Sequence, residues 1–558
     1  MSEQPNENEI IKINSRLLRG SLKQSMADDA TGALAPDDAQ ISKFHGFYEQ
    51  DDRDVRQDRR DHFLEPDYSF MLRARLPGGV CTPKQWLAID EIGRTLGNGS
   101  IRLTTRQTFQ FHGILKHNMK PLIQSIHKVM IDSIGGCGDV NRNVLCNPNP
   151  EQSILHREVY AWTKKISEHL LPKTRAYHEI WLDGEVLEGT ESEPLYGETY
   201  LPRKFKVAIA IPPHNDVDVY TNDLGFIAIG DETLKGFNVL AGGGMGVTHG
   251  DQSTFPRLAD ELGFIRPEQV LAVSEAVVST QRDFGNRVSR RHARLKYTIE
   301  SMGLKAFRAE VEKRSGVTFS PACPVSFSDQ GDRYGWSRGV DECDHLTLYI
   351  ENGRVDGQVL LGLRKLAEQH VGDFRITPNQ NLIIASVPRS ERAQIESIVE
   401  KYGLSATSRS PLRLSGLACV AFPTCPQAMS ESERVFPAML TKLESIMTKH
   451  AIQESCIVFR VTGCPNGCAR PYVAEVALVG KGIGRYNLLL GGDGKGARLS
   501  AIYQENVKED VIFRILDSLF GRYALERLSE EGFGDFVVRI GLVPEIRNPA
   551  EDYYVAIN

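Results

Sequence analysis

Gly99–Gln107 reads GSIRLTTRQ and Gly372–Gln380 reads GDFRITPNQ, so Arg102, Thr104 and Gln107 recur as Arg375, Thr377 and Gln380. What precedes each copy also recurs. FMLRARL (70–76) alternates as a strand, PGG turns the chain, and Thr82-Pro83 forms an N-cap and N1 pair opening a helix through Trp86, Ile89, Ile92 and Leu96. HLTLYIENGRV, with its Asn-Gly turn, and then VLLGLRKLAEQH stand in the same places before the second copy. A second echo follows each first one: FNVLAGG (237–243) and YNLLLGG (486–492), behind the apolar strands GFIAIG and VALVG. The order A–B–A′–B′ predicts an α+β protein of two related halves about a pseudo-twofold axis.

Alternation also sorts the polar residues. SIRLTTRQTFQFHGI reads as one or two strands. Period two puts Arg73 with Arg75, Arg102 with Thr104, and Gln110 with His112 opposite Phe109 and Phe111. A polar strand face is usually the wet side of a sheet, but arginine, glutamine and histidine from successive strands favour a binding face. DVNRNVLCNP adds Arg142 in a loop, and YLPRKFKVAIAIPP adds Arg203, Lys204 and Lys206, the two lysines on one face ahead of a buried strand.

Only B′ carries paired cysteines: Cys419 and Cys425 in ACVAFPTCP, Cys464 and Cys468 in TGCPNGCAR. Thiolates on two turns can converge on zinc or an iron–sulfur cluster, and the wide C-x₅-C favours the cluster over tight zinc knuckles. Pro426 and Pro465 interrupt regular structure, and Asn466-Gly467 allows a turn whose N–H groups point at sulfur. One metal centre between the halves is the economical reading. Cys81, Cys137, Cys146, Cys323, Cys343 and Cys456 lack mutual ligand spacing and read as bland.

The chain has 558 residues, enough for about three domains, and a net charge of −6, so basic residues that serve a function must be clustered. Nothing here predicts nucleic-acid or membrane binding. With a polar, acidic start and no apolar run of spanning length, the expected location is the cytosol. Residues 1 to about 43 read as a mobile arm or peripheral wrap, QDDRDVRQDRRDH (50–62) as a solvated mixed-charge face, and 282–314 as a solvated helix from which Lys296 could reach the site. AGGGMG and GGDGKG match neither G-x-G-x-x-G nor a P-loop, which argues against a nicotinamide or P-loop nucleotide site.

ACVAFPTCP with RVTGCPNGCARPYVAEVALVGKG resembles the signature of the siroheme and [4Fe–4S] sulfite and nitrite reductases, and the resemblance runs from about Phe44 to the C-terminus. It implies that Cys419, Cys425, Cys464 and Cys468 hold a [4Fe–4S] cluster and that Cys468 bridges to siroheme iron. It implies further that Arg102, Thr104, Arg106, Gln110, His112, Lys296, Gln380 and Asn466 hold the siroheme, whose eight carboxylates demand forked cationic partners. Arg73, Arg142, Lys204 and Lys206 would bind the anion and relay protons. The implied fold has a region 1–69 that docks the partner, ferredoxin-like halves at 70–135 plus 331–406, a first siroheme and substrate domain at 136–330, and a cluster domain at 407–558. Six-electron reduction of sulfite to sulfide in cysteine biosynthesis is the implied reaction, with electrons from NADPH through a separate flavoprotein subunit or, alternatively, from ferredoxin. Nitrite reduction is the neighbouring reading. Lys204-Phe205-Lys206 resembles the K-x-K of sulfite enzymes where nitrite enzymes more often have K-x-N. Ala469 stands where glycine is common. A metal-stabilised binding module, the reading from another class, leaves the inward arginines unexplained.

Overall fold

The computed structural model describes residues 4–185 and 191–555. Its first two sheets show the A repeats folding through each other. One runs Phe47–Asp51, Tyr68–Arg73, Phe109–Ile114, Ile101–Leu103, and is completed by Arg354–Val355 of the second copy. The other runs Gly335–Arg338, Asp344–Leu348, Leu382–Val387, Phe374–Ile376, and is completed by Val80–Cys81 of the first. Each half lends the other its last strand.

The exchange demands glycine at two matched positions. A Cβ on Gly79 would lie 2.5 Å from Ile376 O and one on Gly353 would lie 2.4 Å from Leu103 O, and both residues are left-handed, with φ of 76° and 69°. The helices predicted after each strand, Pro83–Thr95 and Gly357–Gln369, pack against one another, the first opened by a capping box between Thr82 and Gln85. Trp86 stacks on Phe374 of the other copy at 5.0 Å.

The B repeats form the other two sheets: Val207–Ala210, Leu224–Gly230, Leu234–Ala241, Asp260–Ile265, and Leu417–Ala418, Phe459–Thr462, Val476–Gly482, Arg485–Leu490, Ala501–Lys508. Both begin their shared core with a parallel pair, Val207 opposite Leu224 and Phe459 opposite Val476, and continue antiparallel. This register equates Asp218 with Arg470. Both are left-handed, at φ 46° and 53°, and both open a single helical turn, Val219–Thr221 or Pro471–Val473. The two equated residues meet: Arg470 Nε lies 2.6 Å from Asp218 Oδ2, and Arg460 Nη1 lies 2.8 Å from the same atom. A buried carboxylate shared by two guanidinium groups marks the junction of the halves.

One expectation is narrowed and one changes. The arm is a wrap: Glu7–Asn14, Leu22–Ala27 and Pro36–Ile41 are helices, and Ile11, Leu18, Leu22, Leu34 and Ile41 join the core of the first sheet. Residues 282–314 are not one solvated helix. Leu295–Met302 is largely buried, and Leu304–Ser315 buries only Phe307 and Val311. Gly303, which joins them, ends the first helix. No helix among the described residues is long and apolar enough to cross a membrane.

Candidate cofactor and substrate cavity

Both halves and the arm close on a cavity of about 550 Å³. Cys419, Cys425, Cys464 and Cys468 all line it, together with Asn466. Cys419 Sγ accepts from Gly463 N at 3.2 Å and Thr462 Oγ1 at 3.4 Å, and Asn466 Nδ2 lies 3.6 Å from Cys464 Sγ. Gly463 is required there, since a Cβ would meet Ala421 Cβ at 2.6 Å. Burial and the neighbouring thiols push Cys425 up to about 12, and Cys419 and Cys464 upward as well. Thiols crowded this way become stable thiolates only around positive charge. Yet no three His, Cys, Asp or Glu side chains among the described residues could hold a metal ion. The four cysteines nonetheless line one cavity together, and the wide Cys419–Cys425 spacing suits a thiolate-bound polynuclear cluster.

Many of the other polar lining residues are cationic. Arg73 donates to Cys137 Sγ at 3.1 Å and, with the Gln110 amide oxygen turned toward it, from Nε to Gln110 at 3.2 Å. Arg142 is held by the carbonyls of Gly138 at 2.9 Å and Gly136 at 3.2 Å. Arg102 donates to Ala418 O at 2.9 Å and lies 3.2 Å from Glu433. Gln380 in its turned orientation accepts from Arg102 at 3.0 Å. Arg106 reaches Asn222 Oδ1 at 2.7 Å and Val207 O at 3.1 Å, while the Thr104 hydroxyl accepts from its backbone N–H. His112 Nδ1 is 3.3 Å from Gln50, and its buried Nε2 has no partner among the described residues.

Lys204 and Lys206 line the cavity without a carboxylate partner among the described ion pairs. Burial, then Arg203, lowers Lys204 to about 7, and burial, then Lys204, holds Lys206 well below the ordinary lysine range. Burial and Arg142 lower Arg106 to about 9. So many desolvated cations without counter-charge fit a bound polyanion, which would restore their ordinary basicity.

Two expected residues lie elsewhere. The strand ends at Arg73, so alternation no longer governs Arg75, which pairs with Asp132 at 2.5 Å. Lys296 does not line the cavity. Its ammonium is buried against the carbonyls of Gly244, Gly246 and Phe255, in the loop beside Asn466. Conversely, the wall includes Lys43, Tyr48, Arg203 and Arg290, and Cys137 touches Arg73. Arg203 sits in the basic stretch already noted. Arg290 sits in the 282–314 stretch read as solvated, and Lys43, Tyr48 and Cys137 carry no local signal.

The duplicated counterpart of the cysteine site is filled. Leu145 bridges Ala208 as Leu417 pairs with Arg460, which sets Asn147 and Asp216 where B′ has Cys419 and Cys468. Asn147 donates to Asp216 at 2.8 Å, and nearby Asp332, from the connecting segment, takes hydrogen bonds from Thr377, Asn379 and Asn381. One centre, not two, is the result.

The comparisons agree with this architecture. The nitrite/sulfite reductase ferredoxin-like half domain matches residues 63–129 and 339–402, and the nitrite and sulphite reductase 4Fe-4S domain matches residues 161–319, within the half that lacks the paired cysteines. The sulfite reductase [NADPH] hemoprotein beta-component of Thiocapsa roseopersicina is 62% identical over 99% of this chain and 100% of its own length. Those of Shewanella frigidimarina and Myxococcus xanthus are each 57% identical over 98% of both chains. The structure of Mycobacterium tuberculosis NirA protein shares the fold, with a TM-score of 0.78, 23% identity, and 96% of this chain and 97% of that one covered. By fold, cavity and full-length likeness together, the chain belongs to the sulfite reductase hemoprotein beta-components of the nitrite and sulfite reductase family.

Proposed function

We propose that this chain reduces sulfite to sulfide by six electrons, with siroheme and a [4Fe–4S] cluster as cofactors, serving cysteine biosynthesis in the cytoplasm. The observation that carries the reading is a single cavity lined by all four cysteines and by Lys204 and Lys206, which have no carboxylate partner among the described ion pairs. Cys419, Cys425, Cys464 and Cys468 would hold the cluster, and Cys468 would also serve the macrocycle. Arg102, Thr104, Arg106, Gln110, His112, Gln380 and Asn466 would hold the macrocycle. When bound, these groups supply the electrons one at a time.

The chain's own part is charge and protons. Arg73 and Arg142, fixed by Cys137 and by main-chain carbonyls, present permanent charge to the anion. Lys204 and Lys206 supply protons. A bound dianion raises their proton affinity, and departure of negative oxygen as water lowers it again, so each lysine can give up a proton and recover one from solvent. The four regions 1–69, 70–135 plus 331–406, 136–330 and 407–558 are the proposed working units.

The proposed electron donor is a separate NADPH-oxidising flavoprotein subunit that docks on the segment around helix Arg56–Asp61. That helix buries no residue, and just before it Arg53 lies over Phe422 at 4.5 Å and donates to Ala428 O at 2.5 Å, directly on the cysteine turn. The test is the absorption spectrum of the purified protein with iron and labile-sulfide analysis, followed by sulfite-to-sulfide turnover with a reduced dye. Siroheme bands, cluster iron and sulfide production are expected. A colourless or zinc-containing protein would overturn the proposal.

A further inference from the structure

The arm brings one more cation to the cavity. Lys43 lies in the single turn Ser42–His45, which ends at Gly46 with φ 100°. This turn is fastened to the strand that carries Arg73: Arg73 N donates to Gly46 O at 3.0 Å, and a Cβ on Gly46 would meet Ser133 at 2.6 Å and Arg73 O at 3.0 Å. Only glycine permits that approach, so the positions of Lys43 and Arg73 are set together. The Lys43 ammonium donates to Gln40 at 2.6 Å and lies 5.6 Å from the centre of the Tyr48 ring, leaving donors for a ligand. Tyr48 is also in the wall, with Arg142. Asp139, the neighbouring carboxylate, is already taken by Arg290 at 2.8 Å and Lys12 at 3.8 Å. Lys43 thus lines the same cavity as Arg73 and Arg142, with no carboxylate partner among the described ion pairs.

We propose that Lys43 is a further sulfite-binding residue, adding a compact positive charge from the arm to the fixed guanidinium forks of Arg73 and Arg142. A small dianion with oxygens pointing several ways takes donors from more than one segment, and the arm supplies an ammonium. The proposal rests on the sulfite reading above. Its burden is substrate affinity, not retention of the macrocycle.

The test uses the full-length holoprotein with Lys43→Gln and Lys43→Arg. Siroheme content per chain, sulfite affinity by calorimetric or spectral titration, and KM and kcat with a reduced dye are measured together. Lys43→Gln is expected to weaken sulfite binding and raise KM about tenfold, the loss of one charge-assisted contact. Its siroheme content should be unchanged, and Lys43→Arg should recover most of the affinity. Unchanged affinity in Lys43→Gln would overturn the proposal alone, and a fall in siroheme content would reassign Lys43 to the macrocycle and overturn it equally. Absence of sulfite turnover in the unaltered protein would instead remove the functional reading and this proposal with it.

Discussion

Cys468 and Lys206 carry the two sharpest tests at the scale of single residues. Cys468→Ser removes the sulfur proposed to face both cluster and macrocycle, so sulfite turnover should disappear even in preparations that retain siroheme bands. Full turnover would exclude the bridge. Lys206→Asn should cost sulfite reduction more than nitrite reduction, because the dianion demands more positive charge than the monoanion. Equal losses, read from paired kcat/KM values, would remove the basis for preferring sulfite.

Asp216, the counterpart of Cys468, makes a prediction about stability. Burial, then Asp332, pushes its carboxyl from 3.8 up to about 7. A group raised in the folded state contributes stability that is complete below its unfolded pKa and lost as pH rises through the folded one. The unaltered protein should therefore lose as much as about 4 kcal/mol from this residue between about pH 4 and pH 7. Asp216→Asn, which cannot charge, should flatten the decline of Tm across that range. An unchanged pH slope would show that the carboxylate is compensated in the fold.

At the scale of elements, the exchanged strands depend on close main-chain approach. Gly353→Ala would add a Cβ 2.4 Å from Leu103 O at φ 69°, whereas Gly403→Ala, at φ 66°, would meet nothing within 4 Å. Both substitutions cost about 1 kcal/mol for the left-handed backbone, but only the first must also push two strands apart. Thermal melts should show the larger Tm loss for Gly353→Ala. Equal losses would mean the exchange tolerates displacement. The helices themselves were legible. Thr82, Pro83 and Gln85 state a helix start in local terms, and the observed capping box realises it. Residues 282–314 were less so, because a high density of arginine and lysine disguises a buried turn of helix. Arg294 is neutralised by Asp223 at 2.8 Å, and no spacing along the chain announces that pair.

At the scale of the whole molecule, duplication explains why one half binds and the other supports. The B′ turn opens onto the cavity with four cysteines, while in B the matching turn is closed by Asn147 and Asp216, with Asp332 of the connecting segment beside them. The junction then carries its charge internally, with Asp218 shared by Arg460 and Arg470.

The sequence by itself determined whatever repeats or alternates: the doubled A and B units, the cysteine pairs, and the strand faces that carry Arg73, Arg102 and Gln110, though not Arg75 beyond the strand end. These are local properties, set by two-residue strand periodicity and by turn chemistry. Only the tertiary structure decided which strands the halves exchange, that the arm forms a wall with Lys43 and Tyr48, that Lys296 is occupied by carbonyls, and that the second site is filled. Each of those depends on contacts between segments far apart in the chain, whose partners leave no periodic trace in either segment.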